Sequence, residues 1–90
     1  MNLEKILKKH KMWLEGKEGG ERANLEDADL EGANLECADL YCANLKHANL
    51  RNTNLKNSNL YYANLEYADL RGANLASADL ENSNLRNILI

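Results

Sequence analysis

Ninety residues make one domain, and so short a chain buries only a modest core, here supplied almost wholly by Leu and Ala, with no Pro and no Phe. A net charge of −3 excludes a basic nucleic-acid-binding arm and a strongly acidic tail. The opening MNLEKILKKHKMWLEG carries charges every few positions and no long apolar run, so neither a secretion leader nor a membrane span is expected; with two cysteines, the expected compartment is a reducing cytoplasm.

The first element is a helix over residues 3–14. Asn2 suits its N-cap and Gly16 its stop, while Leu3, Ile6, Leu7, His10 and Leu14 fall on one face with Trp13 at the margin. Residues 1–22 are read as a capping helix and linker, with Leu3, Ile6, Leu7 and Leu14 facing the leucine-rich remainder of the chain. The rival, a basic amphipathic helix for a membrane or a partner groove, is disfavoured by the acids among its lysines and by the apolar surface that this remainder offers. His10 is expected to be packed and hydrogen-bonded.

From Ala23 to Asn87 the chain advances five residues at a time through thirteen pentapeptides. Their leucines are Leu25, Leu30, Leu35, Leu40, Leu45, Leu50, Leu55, Leu60, Leu65, Leu70, Leu75, Leu80 and Leu85. With each leucine as position i, position i−2 is always small (Ala, Thr53, Ser58 or Ser83) and i−1 is always Asn or Asp. Leucines five apart wander around an α-helix and alternate faces on a straight strand, so neither regular structure fits. Short extended pieces do: i−2 and i point inward, i−1 points outward, and i+1 and i+2 turn a corner. The thirteen leucines are then the structural core.

The run of A-(D/N)-L-x-x resembles the pentapeptide-repeat family. That resemblance implies an all-β solenoid, a right-handed quadrilateral β-helix of four repeats per coil, making residues 23–90 about three and a quarter coils. The charges support four: at a spacing of twenty residues, Glu26, Lys46, Glu66 and Arg86 stack, as do Glu31, Arg51 and Arg71, and Glu36 and Lys56, with five neighbouring pairs opposite in sign and one alike. Asn24, Asn44, Asn64 and Asn84 would form an amide ladder. Gly32, Gly72 and the Asn residues at i+2 suit corners with left-handed backbone.

The chain closes on Ile88, Leu89 and Ile90, an apolar finish on an open coil and the expected interface of a twofold homodimer. The resemblance points the same way, since family members that act on topoisomerase commonly pair through this end.

No catalytic, metal or cofactor site emerges, and the chain is read as no enzyme. Cys37, Cys42 and His47 leave successive corners and cannot converge on one ion, nor can the cysteines bridge. Asp27, His47 and Tyr67 form a surface column and no catalytic trio. Tyr41 and Tyr61 stack with Tyr62 beside them, a candidate contact patch. The reading is a structural scaffold that binds another, unidentified protein, with no direct nucleic-acid or membrane binding expected. The resemblance implies an alternative, a mimic of duplex DNA that binds gyrase or topoisomerase. Against it, the ten acids and five bases of the repeats are interspersed.

Overall fold

The computed structural model describes residues 1–90. Helix α1 (Leu3–Leu14) starts at the expected cap, where the Asn2 side chain accepts the Lys5 N–H at 3.1 Å and satisfies a donor that no helical carbonyl reaches. It stops at Gly16, whose φ of 69° reverses the chain. The Gly16 N–H donates to the Trp13 carbonyl and the Lys17 N–H to the Met12 carbonyl, the paired closure of a Schellman end. The linker then runs back along the helix, with the Glu21 N–H donating to the Lys9 carbonyl at 3.0 Å and the Ala23 N–H to His10 Nδ1 at 2.9 Å.

Beyond the linker, parallel bridges join residues twenty apart, from Asn24 with Asn44 to Asp69 with Leu89. Twenty residues are four pentapeptides, so each coil has four sides. Around Leu45 the pattern of every interior repeat is visible. The Asn44 N–H donates down to the Ala23 carbonyl at 3.0 Å; the Leu45 and His47 N–H groups donate up to Asn64 at 2.7 Å and Glu66 at 2.9 Å. The corner closes on itself, the Ala48 N–H donating to the Leu45 carbonyl at 3.0 Å.

These corners are type II turns, which require positive φ at their third residue. Gly and Asn are the expected residues there. The same conformation is found at Asp27, Cys37, Cys42, His47, Tyr62, Tyr67 and Ser77, with φ between 58° and 62°. Each such residue costs roughly 1 kcal/mol, a cost offset by the stacked coils that hold the turn; the turn dictates the backbone whatever side chain it carries.

The strict Asn or Asp at i−1 has a function beyond the expected ladder. In all thirteen repeats its Oδ1 accepts the N–H of residue i+1, as Asn24 does from Glu26 at 3.2 Å and Asn84 from Arg86 at 3.1 Å. The corner leaves that donor without a backbone acceptor, and Asn and Asp share the one oxygen that reaches it. The amide ladder itself is confined to the first two coils, where Asn44 Nδ2 donates to Asn24 at 3.1 Å and Asn49 Nδ2 to Asp29 at 3.2 Å. Asn64 and Asn84 do not continue it.

The leucines from Leu25 to Leu70 are buried to 2% exposure or less. The last three correct the expectation of thirteen buried leucines: Leu75 and Leu80 are half-buried and Leu85 is 38% exposed, because no further coil covers them. At the other end Leu3, Ile6 and Leu7 pack against the core, whereas Leu14 stands outside that packing at the edge of a groove.

Two buried polar groups yield predictions. Thr53 Oγ1 donates to the Leu30 carbonyl at 3.0 Å, but Ser58 Oγ is buried without a partner. Ser58→Ala installs the residue most repeats carry and is expected to stabilise the fold by about 1 kcal/mol in urea unfolding.

His10 is 1% exposed, its ring stacked on Trp13 at 5.4 Å and its Nε2 unpartnered. Burial outweighs the attraction of Asp39 and holds its pKa below the ordinary 6.5. The folded chain therefore refuses a proton that the unfolded chain accepts. His10 contributes stability above pH 6.5, lost as pH falls toward its folded value at up to about 1.4 kcal/mol per unit. Urea midpoints measured across this range should fall in the native chain and flatten in His10→Gln.

Candidate interaction surfaces

Because i−2 and i fill the interior and i−1 closes the corner, only i+1 and i+2 are free to carry chemistry. They stand on four corner columns. The first holds Glu26, Lys46, Glu66 and Arg86 with Asp27, His47 and Tyr67; the second, Glu31, Arg51 and Arg71; the third, Glu36, Lys56, Cys37 and Asn57; the fourth, Tyr41, Tyr61 and Glu81 with Cys42, Tyr62 and Asn82.

Charge is layered along the rod. Residues 23–42 contain six acids and no Lys or Arg, residues 43–62 three bases and no acid, and residues 63–82 four acids and one base. Of the five opposite pairs expected in the columns, Lys46–Glu66 closes, at 3.7 Å. Glu26 and Glu31 instead accept the amides of Asn44 and Asn49 at 3.2 and 3.3 Å. The like pair Arg51 and Arg71 is held by Asp69, which accepts from Arg71 Nε at 2.9 Å and Nη2 at 2.6 Å and lies 4.0 Å from Arg51. The Arg71 guanidinium is the main reason the Asp69 carboxyl falls to about 2.

The tyrosines meet. Tyr41 and Tyr61 stack with centroids 5.8 Å apart and planes 11° from parallel, and Tyr62 stands edge-on to Tyr61 at 4.6 Å and 90°. Such edge and stacked contacts favour one another through the ring quadrupoles. Tyr62 is 52% exposed, Tyr61 accepts a hydrogen bond from Asn82 Nδ2 at 3.4 Å, and the Cys42 side chain pushes the Tyr41 phenol above its ordinary pKa.

Cys37, Cys42 and His47 occupy three successive corners, and both thiols are free. No group of three or more His, Cys, Asp or Glu side chains is placed to share a metal. His47 stacks on Tyr67 at 5.0 Å and 3°, two rungs of one column. Two open grooves lie where α1 meets the first coil, of about 220 Å³ beside Lys5, Lys9 and Arg22 and about 320 Å³ beside Leu7, Leu14 and Cys37. No helix is long and apolar enough to cross a membrane.

At the far end the three apolar residues Ile88, Leu89 and Ile90 are placed differently. Leu89 occupies the outward position in the column of Asp29, Asn49 and Asp69, with its side chain 51% exposed, and Ile88 packs against the core. The apolar end face is built by Leu75, Leu80, Leu85 and Ile90. The N–H groups of those three leucines and the carbonyls of Ala73, Ala78 and Ser83 bond to no other group of the chain.

Comparison with known proteins agrees with this geometry. The family model of pentapeptide repeats matches in eight copies over residues 21–57, 38–75 and 53–88. No curated protein is similar enough to match. Among solved structures, a pentapeptide repeat protein of the Arabidopsis thaliana thylakoid lumen superposes with a TM-score of 0.71 at 29% identity, over 72% of this chain and 45% of that one. A pentapeptide repeat protein of Nostoc PCC 7120 is 40% identical over 90% of this chain and 71% of its own, with a TM-score of 0.51. The present chain thus spans less than half the length of the thylakoid-lumen protein. With the repeat matched from residue 21 to 88 and four repeats closing each coil, the chain belongs to the pentapeptide-repeat family and has its right-handed quadrilateral β-helix, capped at the N-terminal end by α1.

Proposed function

We propose that the chain is a non-catalytic interaction scaffold, a stiff four-sided rod that displays varied side chains on a fixed lattice. One observation carries this reading: leucines fill the axis and Asn or Asp closes each corner, so the repeat spends three of five positions on its own shape and leaves no interior pocket for chemistry. A gyrase-directed mimic of DNA needs a continuous acidic stripe, and alternating layers of acid and base do not supply one. Benzoylphenylalanine placed in turn at Glu26, Glu31, Glu36 and Tyr62, one per corner column, tests the scaffold in the cells that make it. One dominant protein adduct from one column is expected; no specific adduct from any column contradicts the proposal.

The same reading makes the open end a self-pairing face. Helix α1 covers the opposite end, which blocks head-to-tail stacking, and a twofold contact between two open ends closes without further growth. A twofold axis across the rod reverses the coil direction, so the facing edges run antiparallel and can exchange their unpaired N–H and carbonyl groups. Light scattering is expected to give a dimer for the native chain and a monomer for Leu85→Lys. Leu89→Lys should leave the dimer intact, because that side chain points away from the end face. A native monomer contradicts the pairing.

A further inference from the structure

Three of the four corner columns carry at least one base: Lys46 and Arg86, Arg51 and Arg71, and Lys56. The fourth carries none. Residues 38–42, 58–62 and 78–82, which form the side ending at that corner, contain three tyrosines and the carboxylates Asp39, Asp79 and Glu81, with no Lys, Arg or His. Asp39 shares a groove with Lys11 of α1, which leaves Asp79 and Glu81 as the carboxylates without a basic neighbour on that side. Neither makes an ion pair.

The arrangement is specific. Glu81 is the next rung above Tyr61 in the column that begins with Tyr41, and Asn82 the next above Tyr62. Adjacent rungs lie roughly 4.8 Å apart. A cation lying on the exposed Tyr62 ring therefore has the Glu81 carboxylate within ion-pair reach. The Tyr62 ring is held edge-on against Tyr61 on a rigid corner, so little freedom is lost when a ligand settles on it.

Building on the scaffold reading, we propose that this fourth side is the docking face and that its occupant is an extended, arginine-bearing segment of another protein, one guanidinium stacking on the Tyr61–Tyr62 pair and pairing with Glu81 and Asp79. Arginine fits better than lysine because its planar fork stacks on a ring while bonding a carboxylate, whereas an ammonium must keep more of its water.

The test is fluorescence anisotropy with labelled peptides alternating Arg and Gly, Lys and Gly, or Glu and Gly, followed by amide shift mapping on the labelled protein. The Arg peptide should bind, the Lys peptide more weakly and the Glu peptide not at all, with shifts centred on Tyr61, Tyr62 and Glu81. Tyr62→Asn places at this corner the residue the same column carries at Asn82, so the fold is kept. It should weaken the Arg peptide by about fivefold, the scale of one exposed cation–π contact, and Glu81→Gln should act alike. Glu36→Gln, on another corner, should change binding less than about twofold. Equal binding of the Arg and Lys peptides with shifts on Glu26, Asp27 and Glu31 overturns the proposal, since that is attraction to the acidic first coil alone. Absence of binding also overturns it, and leaves the scaffold reading to the crosslinking result.

Discussion

Leu50→Ala is expected to destabilise the chain by about 3–5 kcal/mol, whereas Leu85→Ala should cost the unpaired chain under about 1 kcal/mol. The two leucines hold the same place in the repeat. Leu50 is 0% exposed, with coils above and below, and truncation leaves a cavity that stacked coils cannot collapse into without breaking their ladder bonds. Leu85 is 38% exposed and already lacks neighbours on one side. Urea midpoints of the two variants against the native chain, at concentrations too low for pairing, measure the gradient. Equal costs there would mean that the last coil is as well covered within one chain as the middle one, and would contradict an open end.

The second large effect lies at the junction of cap and coil. Gly20 is the point at which the returning linker touches the helix backbone: a Cβ there would meet the Trp13 backbone nitrogen and sit 2.6 Å from Trp13 Cα. Backbone cannot swing aside as a side chain can. Gly20→Ala should therefore lift the linker off the helix and break the bonds just beyond it, from the Glu21 N–H to Lys9 and from the Ala23 N–H to His10. A loss of about 2–3 kcal/mol in urea unfolding is expected. Gly16→Ala is the control, because it introduces left-handed strain at φ 69° with nothing near its Cβ and should cost about 1 kcal/mol. Similar losses in the two variants would remove the close approach as the cause.

The interior is legible in the sequence because one physical demand, filling an axis every fifth residue, leaves a period that no helix or strand shares. Coil length is legible from charge, since adding twenty brings Glu26 to Lys46 and Glu31 to Arg51. The contacts themselves are not. Side chains on corners reach sideways as well as upward, so Glu26 finds the amide of Asn44, and Asp69 collects two guanidiniums. The role of Asn and Asp does leave a signal, easily passed over: two residues exchanging freely at i−1 share an acceptor oxygen and differ in charge, which favours a local turn over a ladder of either kind. End effects resist such reading altogether. Leu75, Leu80 and Leu85 repeat the pattern of Leu50, and only the position of the last coil exposes them. Apolarity alone makes Leu89 an end-face residue, whereas its place in the five-residue count sets it on the outer side. The tyrosine cluster is legible, because Tyr41 and Tyr61 differ by one coil and Tyr62 comes directly after.

A capped rod that pairs through its open end is tested most directly by amide hydrogen exchange, resolved by residue, in the native chain and in Leu85→Lys. Both should protect the N–H groups of the ten leucines from Leu25 to Leu70, each of which donates to the coil above. Those of Leu75, Leu80 and Leu85, unpaired within the chain, should be protected in the native protein and exchange freely in the variant. Rapid exchange at these three positions in both proteins would show an end face open to water, and would contradict the pairing of two rods.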